Sequence, residues 1–321
     1  MSRSDLHHAE SVIDAVQSPR GAGVSALTAS WCRSFLHHGL DPEAPMKRTL
    51  LEASQIAALR AEHAALLEAA GPVLDQIFRA VARSGCGVVL SDVHGTIMER
   101  RVGDGDAQGF ATAGLVEGCR WSEADEGTNG IGTCLVEERP VVIHRDQHFA
   151  SRNIGISCMD APVHDPCGRL IAALDVSSCR DDHDAAMAEM IAALVRDAAR
   201  RIERDYFCRH FTGKRIIYLP DEAAIGTTLL ATDRDDLVIG ASRAARAMFG
   251  IDDAALAAPQ PLERLLGSDQ APSFREGERS VLSKALATAN GNASQAAHLL
   301  GIGRATFYRR MARAGMRGLP H

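Results

Sequence analysis

Apolar positions follow two rhythms along this 321-residue chain, and each rhythm predicts the element beneath it. An Ala/Leu/Glu-rich helix is expected over residues 50–70, closing an opening helical region. Pro72, with its fixed φ and no N–H, suits a first helical turn and predicts a second helix over 73–82, with Leu74, Ile77, Phe78 and Val81 on one face. The rhythm then shortens. Residues 87–92 form an apolar strand, His94-Gly95 a turn and 96–101 a second strand, together a hairpin. Further strands are expected over 140–143, 156–162 and 170–177, the last two joined by a turn at 165–168. A long helix follows over 183–207, where Met187, Met190, Ile191, Leu194, Val195, Ala198, Ile202 and Tyr206 recur near seven-residue spacing. Leu194, Val195 and Ile202 are expected in a dimer seam. Helices, antiparallel strands and a closing helix predict an α+β fold. Residues 223–250 suggest strand, turn, strand and short helix, and 257–261 and 268–273 read as connectors.

The C-terminal stretch has the sharpest pattern. A short helix over 293–300 carries Ala296, Ala297 and Leu300 on one face. Gly301-Ile302-Gly303 permits a tight turn, and the next helix starts at Arg304 with Phe307 and Met311 inward at i and i+4. Arg304, Thr306, Tyr308, Arg309, Arg310 and Arg313 are left for the other surfaces. An apolar seam with guanidinium and hydroxyl groups outside it is what a helix entering a DNA groove requires. Charge sharpens the picture. From residue 275 onward eight Lys or Arg stand against two Glu, giving +6, whereas the whole chain is at -6 and the remainder therefore at -12. A basic module for phosphates is expected on an acidic body.

Composition, at 46% hydrophobic and 24% charged, is that of a globular protein able to bury two or three domains. No apolar run reaches bilayer length and the N-terminus lacks a signal-peptide segment, so a cytoplasmic location with no membrane partner is expected. Eight cysteines (32, 86, 119, 134, 158, 167, 179 and 208) show no paired spacing, which points to reduced core residues rather than a disulfide framework or zinc site.

Residues 278–316 resemble the C-terminal domain of the factor-for-inversion-stimulation family. The resemblance implies a preceding helix over 278–289, with Val281, Leu282, Ala285 and Leu286 in its apolar face. It also implies phosphate contacts from Asn292 and Ser294, and a groove-facing set of Arg304, Thr306, Tyr308 and Arg309, with Arg310 as a further DNA-contacting residue. Gly303 stands where relatives often carry Ser or Asn, so the helix cap is weaker here.

A second resemblance covers most of residues 25–205. W-S-E-A-D-E-G-T-N-G-I-G-T at 121–133, with Arg139-Pro140, His148-Phe149, Cys158, Ala161-Pro162 and Leu174-Asp175, resembles the GAF sensor domain of the acetoin-operon activator family. The S-W-C-R-S and G-L-D-P elements upstream belong to the same pattern. This implies a bacterial transcription regulator whose GAF domain senses a small metabolite. Trp121, Asn129, Cys134, His148, Cys158 and Asp160 are the candidate effector-pocket residues. Residues 223–250 weakly resemble part of a PAS domain.

Full-length relatives carry an ATPase domain with G-x-x-x-x-G-K-[ST]. The single Gly-Lys here, Gly213-Lys214, has Cys208 in place of the first glycine and Arg215 in place of the hydroxyl residue, so ATP hydrolysis is not expected. Two alternatives stay open. One is a redox or metal sensor using Cys134, His144, His148 and Cys158. The other is a cysteine-dependent GAF enzyme with a nonspecific nucleic-acid-binding tail. The favoured expectation is a non-enzymatic, homodimeric, ligand-responsive regulator with a helical segment at 1–70, a GAF sensor at 71–207, a connector at 208–274 and an all-α helix-turn-helix at 275–321. Its expected partners are double-stranded DNA, a small-molecule effector and, further, RNA polymerase or another regulator. No other cofactor is expected.

Overall fold

The computed structural model describes residues 3–18, 23, 25–45, 49–219, 226–267 and 274–316. The chain divides into two compact units, at Met1–Pro259 and Gln260–His321. The expected connector at 268–273, Arg317 and the first residues of the 223–250 stretch lie outside the described residues.

The first unit opens with α1 (Arg3–Gln17) and α2 (Ala26–Cys32), the latter running on into a wider π-helical turn at Arg33–His37. Then come α3 (Ala53–Glu62) and α4 (Ala64–Val81). The expected break at Pro72 is absent, because Pro72 sits inside α4. Leu66, Ala69, Ala70, Val73, Leu74, Ile77 and Val81 form one buried stripe across it, and that burial outweighs the one backbone hydrogen bond a proline removes. The interruption falls at His63 instead, and the expected 70/71 boundary cuts through α4.

β1 (Cys86–Asp92) and β2 (Ile97–Arg101) form the expected hairpin, with Gly95 at φ 78° in its turn. Three short helices follow, α5 (Ala107–Ala113), α6 (Glu123–Glu126) and α7 (Gly130–Glu137). β3 (Val141–His144), β4 (Ser157–His164) and β5 (Leu170–Ser178) complete an antiparallel sheet of order β2-β1-β5-β4-β3, closed by α8 (Ala185–His210). Strand residues alternate between two cores, as a two-residue period requires. Val88, Leu90, Met159, Leu174 and Val176 pack with α4 and α8, whereas Val89, Cys158 and Ala173 pack with Phe110, Trp121, Ile131 and Cys134 on the other face. This is an α+β fold with flanking helices. The expected dimer seam needs correction here: Val195 and Ile202 are fully buried against the sheet, and of the three residues only Leu194 is exposed.

A smaller antiparallel sheet follows, β6 (Arg215–Leu219), β7 (Thr228–Thr232) and β8 (Val238–Ala241), with α9 (Arg243–Phe249) and α10 (Asp253–Ala257). The strand-turn-strand-helix expectation holds over its described part, and β6 was not anticipated.

The second unit begins with α11 (Leu262–Leu265) and continues as a three-helix array of α12 (Phe274–Thr288), α13 (Ala293–Leu299) and α14 (Arg304–Arg313). Leu282, Ala285, Leu286, Ala296, Ala297, Phe307 and Met311 form its core. Val281, expected inward, is 52% exposed, since it lies at the margin of the stripe, next to Ala285 but about 100° round α12 from Leu282.

Candidate nucleic-acid interface and sensor site

Two turns set the last helices. Asn290 and Gly291 take left-handed backbone (φ 49° and 82°) between α12 and α13, and Gly301 (φ 65°) does so between α13 and α14. Asn292 caps α13, its side-chain oxygen accepting from the N–H groups of Ser294 at 3.0 Å and Gln295 at 3.1 Å. Its amide NH₂ and the exposed Ser294 stay on the surface. Gly303 begins α14 with no side-chain cap, as expected.

Successive residues of α14 are turned by about 100°, so burial of Phe307 and Met311 fixes every other direction. Arg309 lies opposite the buried seam. Arg304 and Tyr308 share one flank, with the guanidinium 5.7 Å from the ring centroid. Thr306 and Arg310 lie on the other flank. Arg310 and Arg313 reach back to Glu278 of α12, at 3.4 and 3.5 Å. The expected DNA-contacting residues therefore separate. Arg304, Tyr308 and Arg309 are exposed with no ion pair to another described residue, Thr306 is half-buried, and Arg310 is held by a carboxylate. Sequence reasoning missed Glu278; its place on α12 opposite Arg310 requires the packing of two helices to be known.

In the first unit the six expected pocket residues are all buried, at 2% exposure or less. Two are engaged in holding the chain. Trp121 donates its Nε1–H to the Gly114 carbonyl at 2.9 Å. Asn129 caps α7 by accepting from the Gly132 N–H and donates to the Gly127 carbonyl, both at 2.8 Å. The other four border one polar interior on the α7 face of the sheet. Cys158 Sγ lies 3.4 Å from His148 Nε2 and 3.2 Å from Ser177 Oγ. Asp160 stands opposite Asp175 in the β4–β5 pairing. Asp175 accepts from Ser177 Oγ at 2.8 Å. Asp175 and Ser177 were missed, although both alternate onto this face with Cys158 and Asp160 once the strand register is known.

Burial governs the ionisation here. It pushes the thiols of Cys134 and Cys158 well up, raises Asp160 well above the usual carboxylate range with Asp175 adding to the effect, and raises Asp175 to about 7. Burial also lowers His148 to about 4. Protonated thiols are poor metal ligands, whereas a neutral imidazole is a competent one, so His148 alone is in ligating form here. Among the described residues no three His, Cys, Asp or Glu side chains are grouped to hold an ion. His144, the fourth expected ligand of that alternative, is hydrogen-bonded to Ser157 Oγ at 2.8 Å.

A cleft of about 360 Å³ opens between α2, α7 and edge strand β3. Ser30, Thr133, Arg139, Gln147, Glu189 and Arg196 bring the polar groups to it, and Leu27, Val141 and Ile143 the apolar wall. None of the six expected residues lines it, but Thr133 adjoins Cys134 in α7 and Ile143 pairs with Cys158 across β3 and β4.

Comparison with known proteins agrees with this geometry. Residues 65–199 match the GAF domain, and residues 273–313 match the bacterial regulatory protein, Fis family. The chain is 28% identical over 264 residues to the acetoin catabolism regulatory protein of Cupriavidus necator, a match covering 78% of this chain and 39% of that protein. It is 30% identical over 116 residues to MimR of Mycolicibacterium smegmatis, a propane 2-monooxygenase operon transcriptional activator, covering 36% of this chain and 20% of that one. The chain thus spans well under half the length of these curated relatives. Among solved structures, the E. coli DhaR(N)–DhaL complex contains a chain of like fold, with a TM-score of 0.51 at 17% identity, covering 74% of this chain and 80% of that one. No described helix is long and apolar enough to cross a membrane. The protein joins a GAF domain to a Fis-type helix-turn-helix, the domain content of a transcriptional regulator rather than of an enzyme.

Proposed function

We infer that this protein is a ligand-responsive transcriptional regulator, in which the GAF domain senses a small metabolite and α14 reads an operator in the major groove as part of a homodimer. The observation that carries the reading is the exposed face of Arg304, Tyr308 and Arg309 above the buried Phe307–Met311 seam, on a segment of net charge +6. The regulatory roles named for the relatives support it. The cleft beside α7 is of the size small ligands use, with a few placed polar groups on an apolar wall. The metabolite is favoured over redox sensing because burial pushes the thiols of Cys134 and Cys158 well up, and over metal sensing because no three ligating side chains are grouped among the described residues.

An arginine paired bidentately with guanine contributes roughly 1–3 kcal/mol of discrimination. Arg304→Ala is expected to weaken operator binding about tenfold or more while binding to random DNA at the same salt changes little. Equal losses on both DNAs would make Arg304 a phosphate contact and remove it from sequence reading.

A further inference from the structure

A second cleft, of about 250 Å³, adjoins the first and is lined by Arg139, Arg196, Arg200, Arg243, His164 and Glu203. Three elements that are distant in sequence build it. His164 ends β4, Arg196, Arg200 and Glu203 lie along α8, and Arg243 opens α9. Four guanidinium groups meet two carboxylates in the lining, Glu138 and Glu203, and Arg200 is also paired with Asp197 at 4.0 Å. Glu203 is taken up by His164, whose Nδ1 lies 2.7 Å from Oε1 and whose backbone N–H donates to the same oxygen at 2.9 Å. Arg139 is paired with Glu137 at 3.3 Å. Arg196 and Arg243 make no ion pair with any described residue. Arg169 and Arg246 both close on Asp253, whereas Arg243 closes on no described carboxylate although Glu138 and Glu203 line the same cleft.

The cleft is also held firmly. Ser242 caps α9, and the turn before β5 packs so closely on it that a Cβ at Gly168 would lie 3.3 Å from the Arg243 Cα. Beside these cations, the Nε2 of His164 is buried with no hydrogen-bond partner, although the residue is only 3% exposed. Because Nδ1–H is given to Glu203, this Nε2 is the acceptor nitrogen of a neutral ring and adds no donor for an anion. Gathered like charges also raise the energy of the free protein, the more so where the walls exclude water. All of this stands on the part of the chain whose net charge is -12, so bulk composition does not account for it.

We propose that this cleft is a binding site for a small polyanion carrying phosphate or carboxylate groups, adjoining the effector cleft beside α7 and sharing Arg139 and Arg196 with it, while Arg200 and Arg243 belong to it alone. Guanidinium forks match both groups bidentately. The occupant bridges the GAF sheet and helix α8 to α9, and so links the sensor to the smaller sheet that follows it.

Calorimetric titration of the full chain with pyrophosphate and, separately, with citrate tests this at fixed pH and ionic strength. One saturable site per chain is expected for at least one of them. Pyrophosphate alone would identify a phosphate ligand, and citrate alone a polycarboxylate. Arg196→Gln and Arg243→Gln should each weaken binding by about tenfold or more, as expected for loss of a hydrogen bond to a charged group. Arg243→Lys should lose less, and Arg234→Gln, an exposed arginine outside the cleft, should lose nothing. If Arg196→Gln does not fold, the Arg243 pair decides the matter. Absence of saturable binding by both anions would overturn the proposal, as would equal weakening by Arg234→Gln and Arg243→Gln.

Discussion

Asp160 and Asp175 face one another across adjacent strands inside the GAF core, and that placement makes stability depend on pH in a defined direction. Both carboxyls are raised, Asp175 to about 7, chiefly by burial. The folded protein therefore holds their protons more tightly than the unfolded chain does. This contribution to stability is complete below the unfolded carboxylate range and is lost as pH rises through about 7. His148 acts oppositely. Lowered to about 4, it stabilises the fold above its unfolded value and that benefit is lost as pH falls towards 4. Above about pH 6.5 only the carboxyls contribute, so stability should decline with pH by at most about 1.4 kcal/mol per unit for each proton. Asp160→Asn removes one acidic proton and the like-charged neighbour of Asp175, and urea midpoints between pH 6.5 and 8 should then decline less steeply, by roughly half. Parallel profiles for the two proteins would show that the pair does not govern this range.

The helices of the second unit show most directly how far an element follows from local pattern. Phe307 and Met311 at i and i+4, the glycine turn and the uncapped start at Gly303 were legible because each depends on neighbours within a few residues. The hairpin and the long closing helix were legible for the same reason. What was not legible depended on distant packing: α4 running through Pro72, the inward turn of Val195 and Ile202, and Glu278 drawing Arg310 from the reading face. The candidate sensor residues fall between these cases. Cys158 and Asp175 stand in the quoted motif, but that Asp175 and Ser177 share a face with Asp160 needed the strand register, and Ser30 needed the position of α2. The seam itself is testable. Phe307 is fully buried in a three-helix core, and Phe307→Ala should cost about 3–5 kcal/mol, comparable to the whole stability of a unit this small. Loss of the helical signal of this unit, with the GAF domain still folded, is the expected outcome in thermal melts followed by circular dichroism. A variant that melts with the native protein would mean that Phe307 is not the keystone of that core.

At the scale of the whole molecule, specific DNA recognition by one short helix requires a second reader, placed about 34 Å away on successive turns of the duplex. In the homodimer proposed above, with Val195 and Ile202 committed to the core, the exposed Met190 and Leu194 of α8 are the residues left for a seam along that helix. Leu194→Glu should then raise the dimer dissociation constant about ten- to a hundredfold, read by sedimentation, since a buried leucine contributes roughly 1.5–3 kcal/mol. An unchanged dimer would move the interface elsewhere. The first unit has its own long-range fastening. Glu123, 1% exposed, is held by Arg33 at 3.1 Å and by the hydroxyl of Ser30, while Trp31 donates to the Gln147 carbonyl and His8 is hydrogen-bonded to that of His148. These anchoring groups precede residue 65, where the match to the GAF domain begins. A GAF segment excised at the edges of that match would lose all of these bonds and expose the buried surface that the preceding helices cover, so its melting temperature should fall below that of the full chain, as scanning calorimetry can read. The cooperative folding unit is therefore expected to begin well before residue 65.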